Sequence, residues 1–300
     1  MDVSWRFTRR GLLASAALVA LGACGRREAA PEATPAPKTP AKAAAPTGRL
    51  EAAVRGAWRA EDAKRDPWRH PRETLEFFGL APGMTVVEVW PGSGWYTQIL
   101  APFLKDTNGK LYAASYETAE GTPSAAAEVV ATYRALLQRN RGLYGQVEFT
   151  SFGPTSGPLA PAGSADLVLF MQTLHNWMAA GLAEKAFVDA YAALKPGGVL
   201  GVEAHRGESG RPQDPLAADG YVQEAYVKQL AEEAGFRFDA ASEVNANPKD
   251  TRNHPFGVWT LPPERRSAAP GEPVDPAFDR AAFDAIGESD RMTLRFVKPR

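Results

Sequence analysis

The sequence predicts an α/β protein built on a doubly wound, mostly parallel sheet, and three observations carry that expectation. Short apolar runs of strand length alternate with amphipathic segments of helix length from Leu50 onward. The run ADLVLFM (Ala165–Met171) is apolar without a break, as a strand buried on both faces requires. The stretch VVEVWPGSGWYTQILAP (Val86–Pro102) reads as strand, tight turn and helix, with Gly92 and Gly94 in the turn. In open α/β sheets such a turn places a ligand at a helix N-terminus, and glycine there keeps a Cβ out of the ligand's way.

The elements follow in order. Leu50–Arg65 has helical spacing of Leu50, Val54, Ala57 and Trp58, and Asp66-Pro67 ends it. A second helix opens at Pro71, carries Leu75 and Phe78, and stops at Gly79. Met84–Val89 is the first strand, and Lys110–Ser115 and Gln146–Ser151 are the next two. Between those two, Thr122-Pro123 reads as the N-cap and first residue of a helix with Val129, Val130, Tyr133 and Leu137 inward. Ala165–Met171 is strand four; Gly181–Leu194 is a helix, closed by Lys195-Pro196-Gly197-Gly198, and Val199–Ala204 is strand five. Helix Gly220–Ala234, strand Phe236–Val244 and a final strand Met292–Val297 complete seven strands. The connection Asn245–Asp290 has no sustained apolar period, and one so long inside a compact domain reads as a lid. Its first half, with His254, Phe256 and Trp259, is expected to fold over the glycine turn. Phe278, Phe283 and Ile286 are expected to dock a short helix.

Composition sets outer bounds. The 300 residues are 44% hydrophobic, enough for one large core, and 34 Lys+Arg balance 35 Asp+Glu. That balance gives no global basic field, so nucleic acid is not an expected partner. No apolar run reaches the ~18 residues of a membrane span. The N-terminus reads as a targeting segment, residues 1–23: Arg9-Arg10-Gly11-Leu12-Leu13 resembles a twin-arginine export signal, and Leu21-Gly22-Ala23-Cys24 a lipoprotein signal-peptidase box. Cys24 is the single cysteine, placed where lipidation needs it. Residues 24–48 are an Ala/Pro-rich tether that would reach roughly 70 Å if extended. The expected product is an exported protein held to the membrane only by a lipid anchor. Gly25 stands where an acidic residue would favour the inner membrane, which points to the outer membrane, facing the periplasm.

Glu88-x-Trp90-x-Gly92-x-Gly94, ADLVLFMQTLHNW, LKPGGVLGVEAHR and the closing ESDRMTLRFVKP together resemble a class I S-adenosylmethionine-dependent methyltransferase, over about residues 49–300. More narrowly, RDPWRHPRETLEFFGL and EVWPGSGWYTQILAP look like an exported, poorly characterised group of such proteins. The resemblance implies a Rossmann-like, seven-stranded sheet with an antiparallel last strand, and S-adenosylmethionine as cofactor. It implies that Gly92 and Gly94 approach the cofactor, with Glu88 holding the turn or meeting its ammonium group. Trp90 replaces the family's usual first glycine, and Ser115 stands where an acid usually grips the ribose. Glu117 is the candidate substitute, and Ser151 with Phe152 would meet the adenine.

Methyl transfer needs alignment, exclusion of water and sometimes a base. His175 and His205 leave strands four and five on the ligand edge and are the candidate catalytic residues. Four histidines without close ligand spacing give no case for a metal, and no hydrolase elbow or phosphate-binding loop is present. Two functions remain: a methyltransferase of the envelope acting on a small-molecule or envelope-derived acceptor, and a non-catalytic lipoprotein using the same fold as a binding or scaffold module.

Overall fold

The computed structural model describes residues 48–119, 122 and 124–300. The stretch read as a signal segment, Cys24, the Ala/Pro-rich stretch to residue 47 and Pro123 lie outside the described residues. The chain runs α1 (Gly48–Val54), α2 (Asp66–Arg69), α3 (Pro71–Phe78), β1 (Thr85–Val89), α4 (Thr97–Asp106), β2 (Lys110–Tyr116), α5 (Ala125–Arg139), α6 (Arg141–Tyr144), β3 (Val147–Phe152), β4 (Ala165–Met171), α7 (Leu174–Ala179), α8 (Ala183–Ala193), β5 (Leu194–His205), α9 (Glu224–Glu233), β6 (Arg237–Ser242), β7 (Pro255–Val258), α10 (Arg280–Ile286) and β8 (Arg291–Val297). Seven strands form one sheet in the order β3-β2-β1-β4-β5-β8-β6, with β7 outside it. β1 to β5 pair in parallel, and β8 is antiparallel to both its neighbours.

Alternation along the strands explains their unbroken apolar runs. Val86, Leu167 and Leu169 pack with residues of α1, α3, α4 and α5. Val87, Val89, Val168 and Phe170 pack on the opposite face with α7, α8 and α9. Both faces are thus covered, and no strand of the centre needs a polar side. Two carboxylate contacts pin the amino ends: Asp166 accepts from the Thr85 amide at 2.8 Å and pairs with Lys195 at 2.6 Å.

Four local expectations are corrected. The helix read over Leu50–Arg65 starts at Gly48, ends at Val54 and gives way to 3-10 turns at Ala57–Arg59 and Asp62–Arg65. Gly56 takes an extended conformation there (φ −57°, ψ 129°), and the break sends Arg59 inward. Arg59 is fully buried, bidentate to Asp66 at 2.9 and 3.0 Å and 5.0 Å from the Trp95 ring. The cap of α5 is Ser124, whose Oγ accepts from the Ala127 amide, not Thr122. β5 begins at Leu194: the Lys195-Pro196-Gly197-Gly198 turn is a bulge in the strand, with the register shifting between Ala165 and Leu167. Phe278 precedes α10 and does not belong to it, but its ring stacks on Phe283 at 5.1 Å.

Gly201, central in β5, lies against Phe78 of α3; a Cβ there would sit 2.6 Å from the ring. Gly201→Ala should therefore cost about 1–3 kcal/mol by overpacking, read from urea unfolding, and should cost less in a Phe78→Leu background. Equal costs in both backgrounds would mean that the ring does not set the requirement.

Candidate functional site

The strand order reverses between β1 and β4, which is where open α/β sheets bind ligands at their carboxyl edge. The residues leaving β1 and β4 both adopt left-handed backbone, Trp90 at φ 51° and Gln172 at φ 58°. Strain of this kind in non-glycine residues concentrates at ligand sites. Between them a crevice opens in two compartments. One, of about 230 Å³, is lined by Glu88, Trp90, Gly92, Tyr96 and Tyr116 among others. The second, of about 300 Å³, is lined by His175, His205, Trp259, Leu261 and Ser289 among others. Arg65, Arg69, Gln172 and Asn176 line both. A larger hollow of about 540 Å³ lies between α5, α6 and the amino end of β3, away from this edge.

Beneath the crevice lies a charged cluster. Glu203, fully buried at the end of β5, accepts from the Tyr96 hydroxyl at 2.9 Å and from Gln172 Nε2 at 2.9 Å. Arg291 Nε is 3.1 Å from Glu203 Oε1, though poorly aligned for a hydrogen bond, and its Nη1 donates to Glu288 at 2.8 Å. Arg65 and Arg69 donate to the same Glu288 at 2.8 and 2.9 Å. Burial alone would raise the Glu288 carboxyl, but the three guanidiniums outweigh it and hold it below the usual range. Arg69 also packs over Trp95 at 4.9 Å, on the ring that Arg59 approaches.

Of the residues expected to meet a cofactor, Glu88 and Gly92 line the first compartment. Glu88 is buried, accepts from the Thr97 hydroxyl at 2.6 Å, and is pushed up to about 8 by burial. Above Gly92 (φ 58°) the space is open: a Cβ there would meet nothing within 4 Å. Gly94 is different. A Cβ on it would lie 2.6 Å from Leu136 and 3.2 Å from Tyr133, so packing of α5 and φ 95° demand glycine, and not a ligand's approach.

Three further sequence candidates are placed elsewhere. Glu117 points into the turn after β3, accepting from the Thr155 amide at 2.9 Å and from its hydroxyl. Phe152 is fully buried, edge-on to Trp90 and Trp177. Ser151 sits in register with Ser115, whose buried Oγ has no partner, and lines neither compartment. The reason is Trp90. Its indole stacks on Tyr116 at 4.2 Å and donates to the Phe152 carbonyl at 2.9 Å, filling the slot between the ends of β1, β2 and β3. The crevice thus fits an ammonium-bearing group beside Glu88 and Gly92. It does not fit a nucleoside in that slot while the indole lies there.

His175 and His205 do come together, 5.2 Å between ring centroids. His205 Nδ1 is 2.6 Å from Ser289 Oγ, and burial together with His175, Arg291 and Arg69 holds it well below the usual histidine range. Burial lowers His175 to about 4. Both rings are neutral near pH 7, and so weakly basic a ring orients a group better than it takes a proton. The Asn245–Asp290 connection covers this pair, not the glycine turn: Trp259 lies 6.0 Å from His175, and no residue of the connection lines the first compartment. A buried knot directs it there. Asp250 accepts from Tyr221 at 2.9 Å and lies 2.8 Å from His254, while Asp290 binds Arg206 and the Asn247 amide.

Arg65, Arg69, Glu288, Arg291 and Tyr96 went unrecognised in the sequence. The only trace was spacing: Glu288 and Arg291 lie three apart just before an apolar strand, and Arg65 and Arg69 four apart around a proline.

No family model matches the chain, and no curated protein matches it. Solved structures do. The 4+2 cyclase SpnF is 21% identical over 77% of this chain and 80% of its own, with a TM-score of 0.52. A candidate sarcosine dimethylglycine methyltransferase from Galdieria sulphuraria is 14% identical, over 80% of this chain and 88% of its own, with a TM-score of 0.51. A SAM-dependent methyltransferase from Aquifex aeolicus is 24% identical, over 62% and 90%, with a TM-score of 0.49. The first two establish the fold. One of them being a cyclase, reaction has to be argued from the site.

His175 supplies a pH test. Its folded affinity for a proton is below its unfolded one, so stability present at pH 7 is lost as pH falls through 6.5 toward 4, on the order of 3 kcal/mol. Glu88 acts oppositely, losing stability as pH rises from 4.5 toward 8. His175→Gln should flatten the acid limb of the stability profile. An unchanged slope from pH 7 to 4 would show the ring to be solvated.

Proposed function

We propose that the chain is an S-adenosylmethionine-dependent methyltransferase acting on a small-molecule acceptor. The observation that carries the reading is the divided crevice at the β1/β4 reversal, one compartment beside Glu88 and Gly92, the other between the histidines and Trp259. When bound, the sulfonium cofactor supplies an electrophilic methyl group. Glu88 holds the ammonium of the amino-acid end, and the open face of Gly92 lets the backbone approach it. Trp259 and Leu261 keep water from the acceptor side. His175 and His205 orient the acceptor as neutral groups.

The Trp90 indole favours the second reading, a binding or scaffold module, because it takes the place of a nucleoside. Calorimetry with S-adenosylhomocysteine on the full chain separates the two. The methyltransferase reading requires the Trp90 indole to leave its slot for the nucleoside. It therefore expects binding by the native chain, tighter binding by Trp90→Gly where that displacement is not needed, and weakening by Glu88→Ala of about 1–3 kcal/mol. A ligand ammonium also draws Glu88 into its ionised form, so binding at pH 7 should release on the order of one proton, seen by changing buffers. No binding by either the native chain or Trp90→Gly would leave the module reading.

The same proposal places the protein in the bacterial envelope, exported by the twin-arginine route and lipid-anchored through Cys24, facing the periplasm. Its support is the Arg9-Arg10 motif and the position of the single cysteine. Fatty-acid labelling should disappear in Cys24→Ala; labelling that persists refutes the anchor.

A further inference from the structure

The histidine-side compartment carries more positive charge than its own carboxylates balance. Three guanidiniums, Arg65, Arg69 and Arg291, face two carboxylates, Glu203 and Glu288. The histidines add no charge, and Glu264 stands exposed at the rim, where solvent screens it. Glu88, across the crevice, is held largely protonated by its burial. Arg291 is consumed: Glu203, Glu288 and the Trp68 carbonyl surround it. Arg65 and Arg69 are not. Arg65 uses only Nε, and Arg69 uses Nε on Glu288 and Nη2 on Gln172. Among the described residues, both terminal nitrogens of Arg65 and Nη1 of Arg69 have no hydrogen-bond partner, and both side chains line the cavity. Arg69, 10% exposed, carries a charge with little water around it that is expected to be paired, and Arg65, 30% exposed, extends the same positive charge to the cavity mouth.

We propose that this compartment binds a small organic monocarboxylate, its carboxylate on the free guanidinium nitrogens of Arg65 and Arg69 and its apolar body under Val258, Trp259 and Leu261. A planar fork of N–H donors matches a carboxylate bidentately, and one unbalanced positive charge matches a monoanion better than a phosphate dianion. The cavity of about 300 Å³ takes a body the size of a single ring. Asn176 and Ser289 add polar contacts for a substituent on that body. The site stands on the geometry alone; that the carboxylate compound is the methyl acceptor rests on the methyltransferase reading.

Calorimetry on the full chain with benzoate and with benzamide, its neutral isostere, tests the charge directly. Benzoate should bind at least about tenfold more tightly than benzamide, as a charge-assisted pair implies. Arg65→Gln should remove most of that preference and leave benzamide unchanged, and Arg65→Lys should keep part of it. Arg65 is the side chain to change because it is 30% exposed and Glu288 retains Arg69 and Arg291 without it. Trp259→Ala should weaken both compounds alike. Equal affinity for the two compounds, or a preference untouched in Arg65→Gln, overturns the proposal. Benzoate preference without S-adenosylhomocysteine binding upholds the site and removes the methyltransferase reading. The reverse result removes the site alone.

Discussion

The Glu203 carboxylate is the group on which the crevice depends. It is fully buried at the end of β5, and its partners come from three other parts of the chain: Tyr96 before α4, Gln172 after β4 and Arg291 at the start of β8. An ionised carboxylate is costly to bury, and neutralising it by hydrogen bonds and a guanidinium fixes the position of each donor. The left-handed backbone of Gln172 is held in this way, by its amide on the Glu203 carbonyl at 2.8 Å and its side chain on the carboxylate. The charge at the floor and the geometry at the mouth are therefore a single arrangement.

The aromatic cluster on the far wall makes the opposite use of its residues. Trp90, Tyr116, Phe152 and Trp177 fill space with rings and one indole hydrogen bond. A glycine at 90 would leave that slot empty and its walls exposed. The tryptophan closes it at the expense of a left-handed backbone and of room for a ligand ring. The site is thus generous where it is charged and closed where it is aromatic.

The sheet was legible because its signal is redundant: each central strand repeats one apolar alternation over two faces, and glycine or proline marks the ends. The ends of β4 and β5 were legible for the same reason, and with them His175 and His205. Arg65, Arg69 and Arg291 were not, because a guanidinium reads as solvated until three-dimensional packing supplies a carboxylate for it. Gly94 shows a second limit. Its residue type marked a constraint, but whether a ligand or Leu136 imposed it depended on where α5 packs. The break after Val54 belongs to the same class, since only the burial of Arg59 against Asp66 and Trp95 makes it preferable to a continuous helix.

β8 follows β5 and β6 in sequence and yet sits between them in the sheet. Until it arrives, β5 has one open edge and β6 has no neighbour in the sheet at all. The sheet therefore closes from the inside, on a strand that follows both of its neighbours in sequence. A chain that has not yet placed β8 has neither a complete core nor Arg291 under the crevice, so shape and site come into being in one step.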